Sequence, residues 1–138
     1  MDKNISIVIQ SRLGSQRIPK KMLKPFSNTT LVDILLNKIV KLNSTSPQQV
    51  YFCAYENELI NVAKNYPVNI FKRSKESSNE EKNIKILYEW YKSIPTEYIV
   101  MVSACNPLLK ISTIDDFIMK FKKSKREGAI SVYESKNY

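Results

Sequence analysis

The sequence predicts an α/β fold, a three-layer α/β/α sandwich with a mostly parallel sheet. Short apolar runs alternate with segments of helical spacing, and the runs "ISIVI" and "YIVMV" are apolar at almost every position. Strands separated by helices pair in parallel through right-handed crossovers. Apolar strands of this kind are typical of a sheet covered on both faces. A chain of 138 residues is expected to form one domain, residues 1–138.

The elements follow from these patterns in chain order. Apolar runs predict strands over residues 5–9, 49–55, 68–71, 98–104 and 129–133. Apolar residues at helical spacing predict helices over residues 29–42, 56–66, 79–94 and 113–125. Polar residues that commonly cap helices precede three of them: Thr29 or Thr30, Ser78 or Asn79, and Ser112 or Thr113. Acidic residues in a first turn suit the helix dipole, as Glu80 and Glu81 do here.

Composition limits the classes of function. Lysine and arginine number 22 against 13 acidic residues, giving a net charge of +9, which favours an anionic partner. Most of the cations are dispersed lysines, and no stripe alternates basic and aromatic residues as in single-stranded nucleic-acid binders. We therefore expect no nucleic-acid partner. No run approaches the ~18 apolar residues of a membrane span, so no membrane partner is expected either.

The histidine and cysteine content argues against proton transfer by imidazole and against a zinc site. With no histidine in the chain, imidazole cannot transfer a proton. The two cysteines, Cys53 and Cys105, lie in no CxxC motif, which argues against a zinc site. We interpret both as buried free thiols in a reducing cytoplasm, and Cys105 as packing at the edge of the core. The N-terminus lacks a signal-peptide pattern, so the predicted location is cytoplasmic.

The stretch Gln10–Met22, "QSRLGSQRIPKKM", follows the first predicted strand and contains one of only two glycines. In open α/β sheets ligands bind outside the carboxyl ends of the strands. Gly14 would let the backbone approach a ligand or adopt positive φ, neighbouring amides could form an anion nest, and Pro19 would stiffen the loop. Four cations suited to phosphate oxygens stand in it: Arg12, Arg17, Lys20 and Lys21.

These features predict a polyphosphate cradle. Neither GxGxxG nor GxxxxGK[ST], the commonest phosphate-binding motifs, is present. An exposed basic loop with a turn glycine is the alternative that the residues alone leave open.

The segment "IVIQSRLGSQRIPKKMLKPFSNTTLVDILLNKI" resembles the N-terminal signature of the sugar-acid cytidylyltransferases. This family includes acylneuraminate (CMP-sialic acid) synthetases, CMP-KDO synthetases and spore-coat-polysaccharide type proteins. Its alanine–arginine pair corresponds to Ser11 and Arg12, and its serine and final lysine correspond to Ser15 and Lys21. The later segments "VYFCAYENELINVAKNYPVNIFKR" and "YIVMVSACNPLLKISTIDDFI" are similar to further parts of the family. The resemblance covers nearly the whole chain but only the N-terminal part of a typical member.

The resemblance implies a Rossmann-like nucleotidyltransferase fold of the glycosyltransferase-A type, truncated here at the C-terminus. It implies transfer of CMP from CTP to the anomeric hydroxyl of a sugar acid such as an acylneuraminate, with release of pyrophosphate, for surface glycan synthesis. It further implies a magnesium ion as cofactor and a homodimer as a possible assembly. CTP and the sugar acid would be the partners.

The resemblance also assigns roles to individual residues. Arg12 and Lys21 would hold the triphosphate as catalytic residues. Arg73 and Ser78 would lie near the cytosine and ribose, and Asn106 and Pro107 would line the base side of the pocket. The remaining implied nucleotide-binding residues belong to the cradle itself: Ser11, Leu13, Gly14, Ser15 and Arg17.

Metal ligands are not identified in the sequence. Magnesium prefers carboxylate oxygens, but the aspartates are confined to Asp2, Asp33, Asp115 and Asp116, near the terminus or in predicted helices. Cys105 stands where the KDO branch of the family has an aspartate. Asp115 and Asp116 are interpreted as first-turn helix acids.

Two other functions remain open. A truncated relative could bind CTP or a CMP-sugar without catalysing transfer, or the chain could be a basic anion- or nucleic-acid-binding α/β domain. Selective binding of CTP over ATP and GTP would exclude the last of these. The aromatic residues of the third predicted helix, Tyr88, Trp90 and Tyr91, are interpreted as packing residues or as a solvent-exposed edge, and not as a platform on which bases stack.

Overall fold

The computed structural model describes residues 3–79 and 82–132, and within them four parallel strands form one sheet. The strands are β1 (Ile5–Gln10), β2 (Val50–Ala54), β3 (Asn69–Lys72) and β4 (Tyr98–Met101). Their spatial order is β3-β2-β1-β4. In β1, Ile7 pairs with Val50 on one side and with Val100 on the other. The first strand of the chain is therefore interior, and the carboxyl ends of all four strands meet at one edge.

The helices among the described residues are α1 (Leu31–Ile39), α2 (Asn57–Ala63), α3 (Ile84–Leu87) and α4 (Ile111–Lys123). Two 3₁₀ helices cover Pro47–Gln49 and Glu89–Lys92. The three longer helices, α1, α2 and α4, pack on one face of the sheet, and the segment around Trp90 covers the other. The predicted three-layer parallel α/β fold is confirmed. None of the helices in this part of the chain has the length and apolar character needed to cross a bilayer.

Strand β1 shows why the sheet is covered on both faces. Successive side chains of a strand point to opposite faces. Ile5, Ile7 and Ile9 lie in the larger core against α1, α2 and α4. Val8 points the other way, into a smaller cluster with Cys53 and Trp90. An apolar run with no polar face thus buries both of its sides, as the sequence predicts.

Helix α1 begins where its capping residue places it. The side chain of Thr30 accepts a hydrogen bond from the backbone amide of Asp33 at 3.2 Å, which satisfies one of the free N–H groups of the first turn. Tyr66 then donates its hydroxyl to the Asp33 carboxylate at 2.7 Å. The predicted Thr30 cap is confirmed, and Asp33 also ties α1 to the segment after α2.

The third predicted helix is wrong in its extent. The described residues of the range 79–94 contain a single turn, α3, capped by Asn83, followed by the separate 3₁₀ helix. Tyr88, at φ −110° and ψ 36°, interrupts the helical backbone between them. The break lets Trp90 reach the sheet, where it is 3% exposed, so its interpretation as a packing residue is confirmed. The predicted capping by Ser78 or Asn79 is not observed, and Glu80 and Glu81 lie outside the described residues.

Helix α4 begins earlier than the capping residues predict. Lys110 is its N-cap, and its first turn contains no acidic residue, because Ile111 packs against the core and extends the helix upstream. Asp115 instead accepts hydrogen bonds from the backbone amides of Asn43 and Ser44 at 3.2 and 2.9 Å. Burial opposes ionisation of Asp115, but these hydrogen bonds outweigh it and lower its pKa. The interpretation of Asp115 as a first-turn acid is wrong.

The fifth predicted strand is also wrong over the residues that can be compared. Residues 129–132 form no strand, and Ile130 and Val132 are 83% and 84% exposed. Alternating apolar residues favour a strand only where a neighbouring backbone and a buried face are available. Neither is present for this segment among the described residues. Tyr133 lies outside them.

Candidate nucleotide-binding site

A cleft of about 650 Å³ opens where β1 ends and extends to the segments that follow β3 and β4. We call it the basic cleft, because its lining contains four cations and, among the described residues, no carboxylate. The cations are Arg12, Arg17, Lys21 and Arg73. Neutral side chains complete the lining, among them Gln10, Ser11, Ser15, Ser103 and Cys105. The position agrees with the carboxyl-edge location at which ligands bind in parallel α/β sheets.

The loop after β1 is fixed by contacts to β2 and α2. The amide of Ser11 donates to the Cys53 carbonyl at 3.0 Å and continues the pairing of β1 with β2. The amide of Leu13 donates to the Glu56 carboxylate at 2.9 Å. Lys20 forms an exposed ion pair with Glu58 at 3.4 Å and does not line the cleft. Three of the four predicted phosphate cations therefore face the cleft, and Lys20 is turned away by α2.

Gly14 does not adopt the positive φ that was one of the two roles expected for it. Positive φ occurs instead at Lys20, with φ 52°, and at Ser27, with φ 56°. A Cβ placed on Gly14 would meet the Arg12 guanidinium at 3.6 Å, an ordinary van der Waals contact. Positive φ, one of the two roles expected for Gly14, is therefore not observed, and a close approach of its backbone to a ligand stays a prediction.

Some backbone amides of the loop after β1 could form part of the expected anion nest. The Leu13 amide is already used by Glu56. Within the described residues, the backbone amides of Gly14, Gln16 and Arg17 donate to no protein acceptor. Three amides beside the cations of the loop thus remain available to an anion.

Arg73 follows β3 and is 3% exposed. Its Nε donates to the Ser77 hydroxyl at 2.9 Å, and one terminal nitrogen donates to the Ser11 carbonyl at 3.4 Å. Its other terminal nitrogen donates to the Ser77 carbonyl. No carboxylate among the described residues lies within ion-pair distance of this guanidinium. The buried cation is held in a fixed orientation by neutral groups.

The electrostatic environment of Arg73 favours an incoming anion. Burial lowers the pKa of its guanidinium from the usual value, partly offset by Glu56 and Glu89 at longer range, while Arg12 lowers it further. The group nevertheless stays charged, because arginine does not deprotonate in proteins. A buried charge without a bonded counter-charge is costly. An anion in the cleft would reduce that cost.

The segment that presents Arg73 is supported by the 3₁₀ helix. Glu89 accepts hydrogen bonds from the amide and the hydroxyl of Ser74 at 2.5 and 2.9 Å. The Ser77 hydroxyl donates to the Leu87 carbonyl at 3.2 Å. The irregular segment that replaced the predicted long helix therefore fixes the arginine in place.

The structure brings together only some of the predicted site residues. Those that line the basic cleft are Ser11, Arg12, Ser15, Arg17, Lys21 and Arg73, whereas Leu13, Gly14, Ser78 and Pro107 do not. Asn106 lies on a second cavity of about 540 Å³ between β4 and α4. Ser11 is 3% exposed, and its hydroxyl has no hydrogen-bond partner among the described residues.

Several lining residues were not predicted from the sequence: Gln10, Gln16, Met22, Asn79, Leu87, Ser103 and Cys105. The position of Gln10 at the end of β1 and of Ser103 just after β4 was a usable signal, because both follow apolar strands. Cys105 is exposed, so its interpretation as a buried packing thiol is wrong. Cys53 is buried as predicted.

The described lining does not fit a magnesium ion. Magnesium is bound by hard oxygen ligands, usually one or two carboxylates together with substrate phosphates. The cleft offers cations, amides, hydroxyls and the sulfur of Cys105, and no cluster of potential metal ligands occurs among the described residues. No chemical step proposed below passes through a metal.

Residues 6–137 match the sequence profile of a protein family described as Cytidylyltransferase. The chain belongs to this cytidylyltransferase family. No curated protein sequence matches the chain significantly.

Solved structures support the nucleotidyltransferase-like fold of this family member. A cytidylyltransferase from Leptospira borgpetersenii serovar Hardjo-bovis is 23% identical, with a TM-score of 0.72 over 89% of this chain and 50% of that one. A CMP:2-keto-3-deoxy-manno-octonic acid synthetase complexed with CTP is 13% identical, with a TM-score of 0.71 over 86% and 47%. A 4-diphosphocytidyl-2C-methyl-D-erythritol synthase from Anaerococcus prevotii is 12% identical, with a TM-score of 0.62 over 99% and 62%. The chain spans about half the length of the first two.

Thiol labelling of this cytidylyltransferase-family chain can report on cleft occupancy. Cys105 is exposed on the cleft, whereas burial raises the pKa of Cys53 to about 12 against a smaller opposing effect of Arg73. Since the thiolate is the reactive species, N-ethylmaleimide should modify Cys105 alone in the native protein and both cysteines in urea. Saturating CTP should slow the modification of Cys105, as measured by intact-mass spectrometry.

The matched control for this labelling is Cys105→Ser, which should leave the native protein unmodified. A Cys105 labelling rate that saturating CTP does not change would contradict placement of the nucleotide in the basic cleft.

Proposed function

We propose that the chain binds CTP in the basic cleft and takes part in transferring its CMP group to a hydroxyl of a sugar acid. The observation that carries the proposal is the buried Arg73, fixed beside Arg12, Arg17 and Lys21 with no carboxylate partner among the described residues. This arrangement favours a ligand with several negative charges. Membership in the cytidylyltransferase family supports CTP as that ligand.

The size of the cleft suits a nucleotide. Its volume of about 650 Å³ lies in the range of roughly 300–1,000 Å³ typical of small-molecule sites. The exposed Arg17 and the half-buried Arg12 and Lys21 stand on the loop after β1, where a triphosphate would be neutralised. Arg73, Ser11 and Gln10 form the deeper part at the strand ends.

The proposed reaction needs charge neutralisation more than a dedicated base. The acceptor hydroxyl oxygen bonds to the α-phosphorus of CTP, the bond from that phosphorus to the β-phosphate oxygen breaks, and pyrophosphate leaves with the electron pair. The hydroxyl proton is released to solvent. Positioned cations stabilise the charge that develops on the phosphoryl oxygens and the leaving group. Arg12 and Lys21 take this role in the proposal, and the absence of histidine does not conflict with it.

A sugar acid is proposed as acceptor on two grounds. The signature around Arg12 resembles that of the sugar-acid cytidylyltransferases, and one structural neighbour is a synthetase named for a sugar acid, 2-keto-3-deoxy-manno-octonic acid. We place the reaction in the cytoplasm, where CTP is available.

Calorimetric titration tests the nucleotide assignment. CTP, ATP and inorganic triphosphate would be titrated with and without magnesium into the wild-type protein, Arg12→Ala and the control Arg126→Ala. Arg126 is an exposed arginine outside the cleft lining. Arg12→Ala should weaken CTP binding by at least ~1.5 kcal/mol, the loss expected for a charge-assisted hydrogen bond, and Arg126→Ala should leave it unchanged.

The proposal would be contradicted if the protein bound every polyanion equally, or if it did not bind CTP.

A second candidate function, binding of CTP or a CMP-sugar without transfer, is favoured by the lack of a carboxylate in the described lining of the cleft. Pyrophosphate release from CTP in the presence of acylneuraminate or 2-keto-3-deoxy-octonate separates the two. CTP binding without pyrophosphate release from either acceptor would support the second candidate.

A further inference from the structure

One hydrogen bond joins the cleft to the core on the far face of the sheet. The indole Nε1 of Trp90 donates to the Gln10 side-chain oxygen at 2.6 Å, across 80 positions of the chain. Trp90 is 3% exposed and packs with Val8 and Cys53. Gln10 ends β1 and lines the basic cleft. A rigid core residue therefore holds a cleft residue.

The chemistry of this bond decides which way the Gln10 amide is turned. An indole N–H can only donate, so its partner must be the amide oxygen of Gln10 and not the nitrogen. The NH₂ group of Gln10 is consequently the amide group that Trp90 does not contact through this bond. Among the described residues no acceptor bonds to it. Gln10 thus keeps two N–H donors for a ligand while its oxygen is occupied by Trp90.

The cleft offers charged donors on its loop, and in its deeper part it offers the neutral amide of Gln10 together with the charged Arg73. The cations Arg12, Arg17 and Lys21 stand on the loop after β1, whereas Gln10 belongs to the strand itself. An uncharged amide gains less from a phosphate than a cation does, but it matches the uncharged polar edge of a base. The acceptor atoms of cytosine on that edge are O2 and N3.

We propose that Gln10 is a specificity-determining residue that donates to O2 and N3 of the cytosine, and that Trp90 is the positioning residue that keeps its NH₂ group turned to the cleft. The inference rests on the proposed binding of CTP. Uracil carries a hydrogen at N3, where cytosine has a lone pair, so a donor held at this place favours cytosine. If Gln10 were free to flip, its oxygen could accept from the uracil N3–H. The Trp90 bond prevents that exchange.

The test compares the dissociation constants of CTP and UTP for wild type, Trp90→Phe, Gln10→Glu and the control Tyr88→Phe. Trp90→Phe keeps an aromatic ring but loses the N–H, so the preference for CTP over UTP should fall about tenfold, as for one hydrogen bond. Gln10→Glu retains an acceptor for Trp90 and replaces the donor, so it should lose more of the preference. Tyr88 contacts the Trp90 ring edge-on at 5.7 Å, and its hydroxyl has no described partner. Tyr88→Phe should therefore leave the preference unchanged.

The outcomes separate this inference from the proposed function. If wild type prefers CTP and Gln10→Glu keeps the same ratio, Gln10 does not select the base and the inference is wrong. If wild type binds CTP and UTP equally, the inference is wrong while the proposed binding of CTP stands. If wild type does not bind CTP at all, the proposed function fails and the inference fails with it. Thermal melting monitors folding of each variant. Should Trp90→Phe fail to fold, Gln10→Glu and Gln10→Leu decide the role of the donor, and Trp90→Tyr, read by the same ratio, decides the role of Trp90.

Discussion

Replacing Arg73 by lysine is expected to weaken CTP binding about thirtyfold, or ~2 kcal/mol, the size of a lost charged hydrogen bond. The arginine fork is held by Ser77 and the Ser11 carbonyl, so its remaining N–H groups are oriented before the ligand arrives. Lysine keeps the charge but is a flexible point charge without that planar geometry. Calorimetric titration with CTP at fixed salt measures the loss.

Arg17→Lys is the matched control for Arg73→Lys. Both arginines line the same cleft, but Arg17 is exposed and Arg73 is buried. We expect Arg17→Lys to change CTP affinity by less than about threefold at physiological salt, because exposed charges are screened over a Debye length of ~8 Å. Equally small changes at the two positions would mean that the cleft senses charge number alone. The fixed geometry of Arg73 would then have no role.

Replacing Phe52 by alanine is expected to destabilise the fold by ~3–5 kcal/mol, the usual cost of truncating a buried aromatic side chain. Phe52 lies in β2, is 0% exposed and belongs to the larger core under α1, α2 and α4. A domain of this size is stable by roughly 5–15 kcal/mol, so much of that stability would be lost. Urea denaturation followed by far-UV circular dichroism measures the change in the free energy of unfolding.

Phe26→Ala is the control, since it removes the same atoms from a side chain that is 51% exposed. A change within about 0.5 kcal/mol is expected there, as for most surface positions. A small effect of Phe52→Ala, comparable to that of Phe26→Ala, would contradict the placement of β2 in the centre of the core.

Local patterns in the sequence were sufficient for the parallel sheet and for the position of the basic cleft. The apolar runs of β1, β2 and β4 have the limited length of buried strands, and that information is contained in a few consecutive residues. The position of Arg12, Arg17 and Lys21 just after β1 then placed the cations at the ligand-binding edge, because parallel strands share that edge. Thr30 was recognisable as a cap for the same reason, since its partner Asp33 is three residues away.

Tertiary contacts decided the features that local patterns mispredicted. Helical spacing continues through Tyr88, yet burial of Trp90 against the sheet breaks that helix. Apolar alternation continues through Ile130, but the described residues offer it no strand to pair with. In the first case packing against a distant strand outweighed the local preference, and in the second the local preference found no partner among the described residues.

The sequence by itself determined the α/β class, the order of the elements and the edge at which a polyanion would bind. Only the tertiary structure showed which cations face the cleft, that Arg73 is buried without a described carboxylate partner, and that Trp90 orients Gln10. The physical reason is the distance along the sequence between the residues that interact. Strand and cap signals are contained within a few neighbouring residues, whereas the Lys20–Glu58, Arg73–Ser11 and Trp90–Gln10 contacts join residues 38, 62 and 80 positions apart. Such contacts depend on how the sheet and its covering layers pack, which no local pattern encodes.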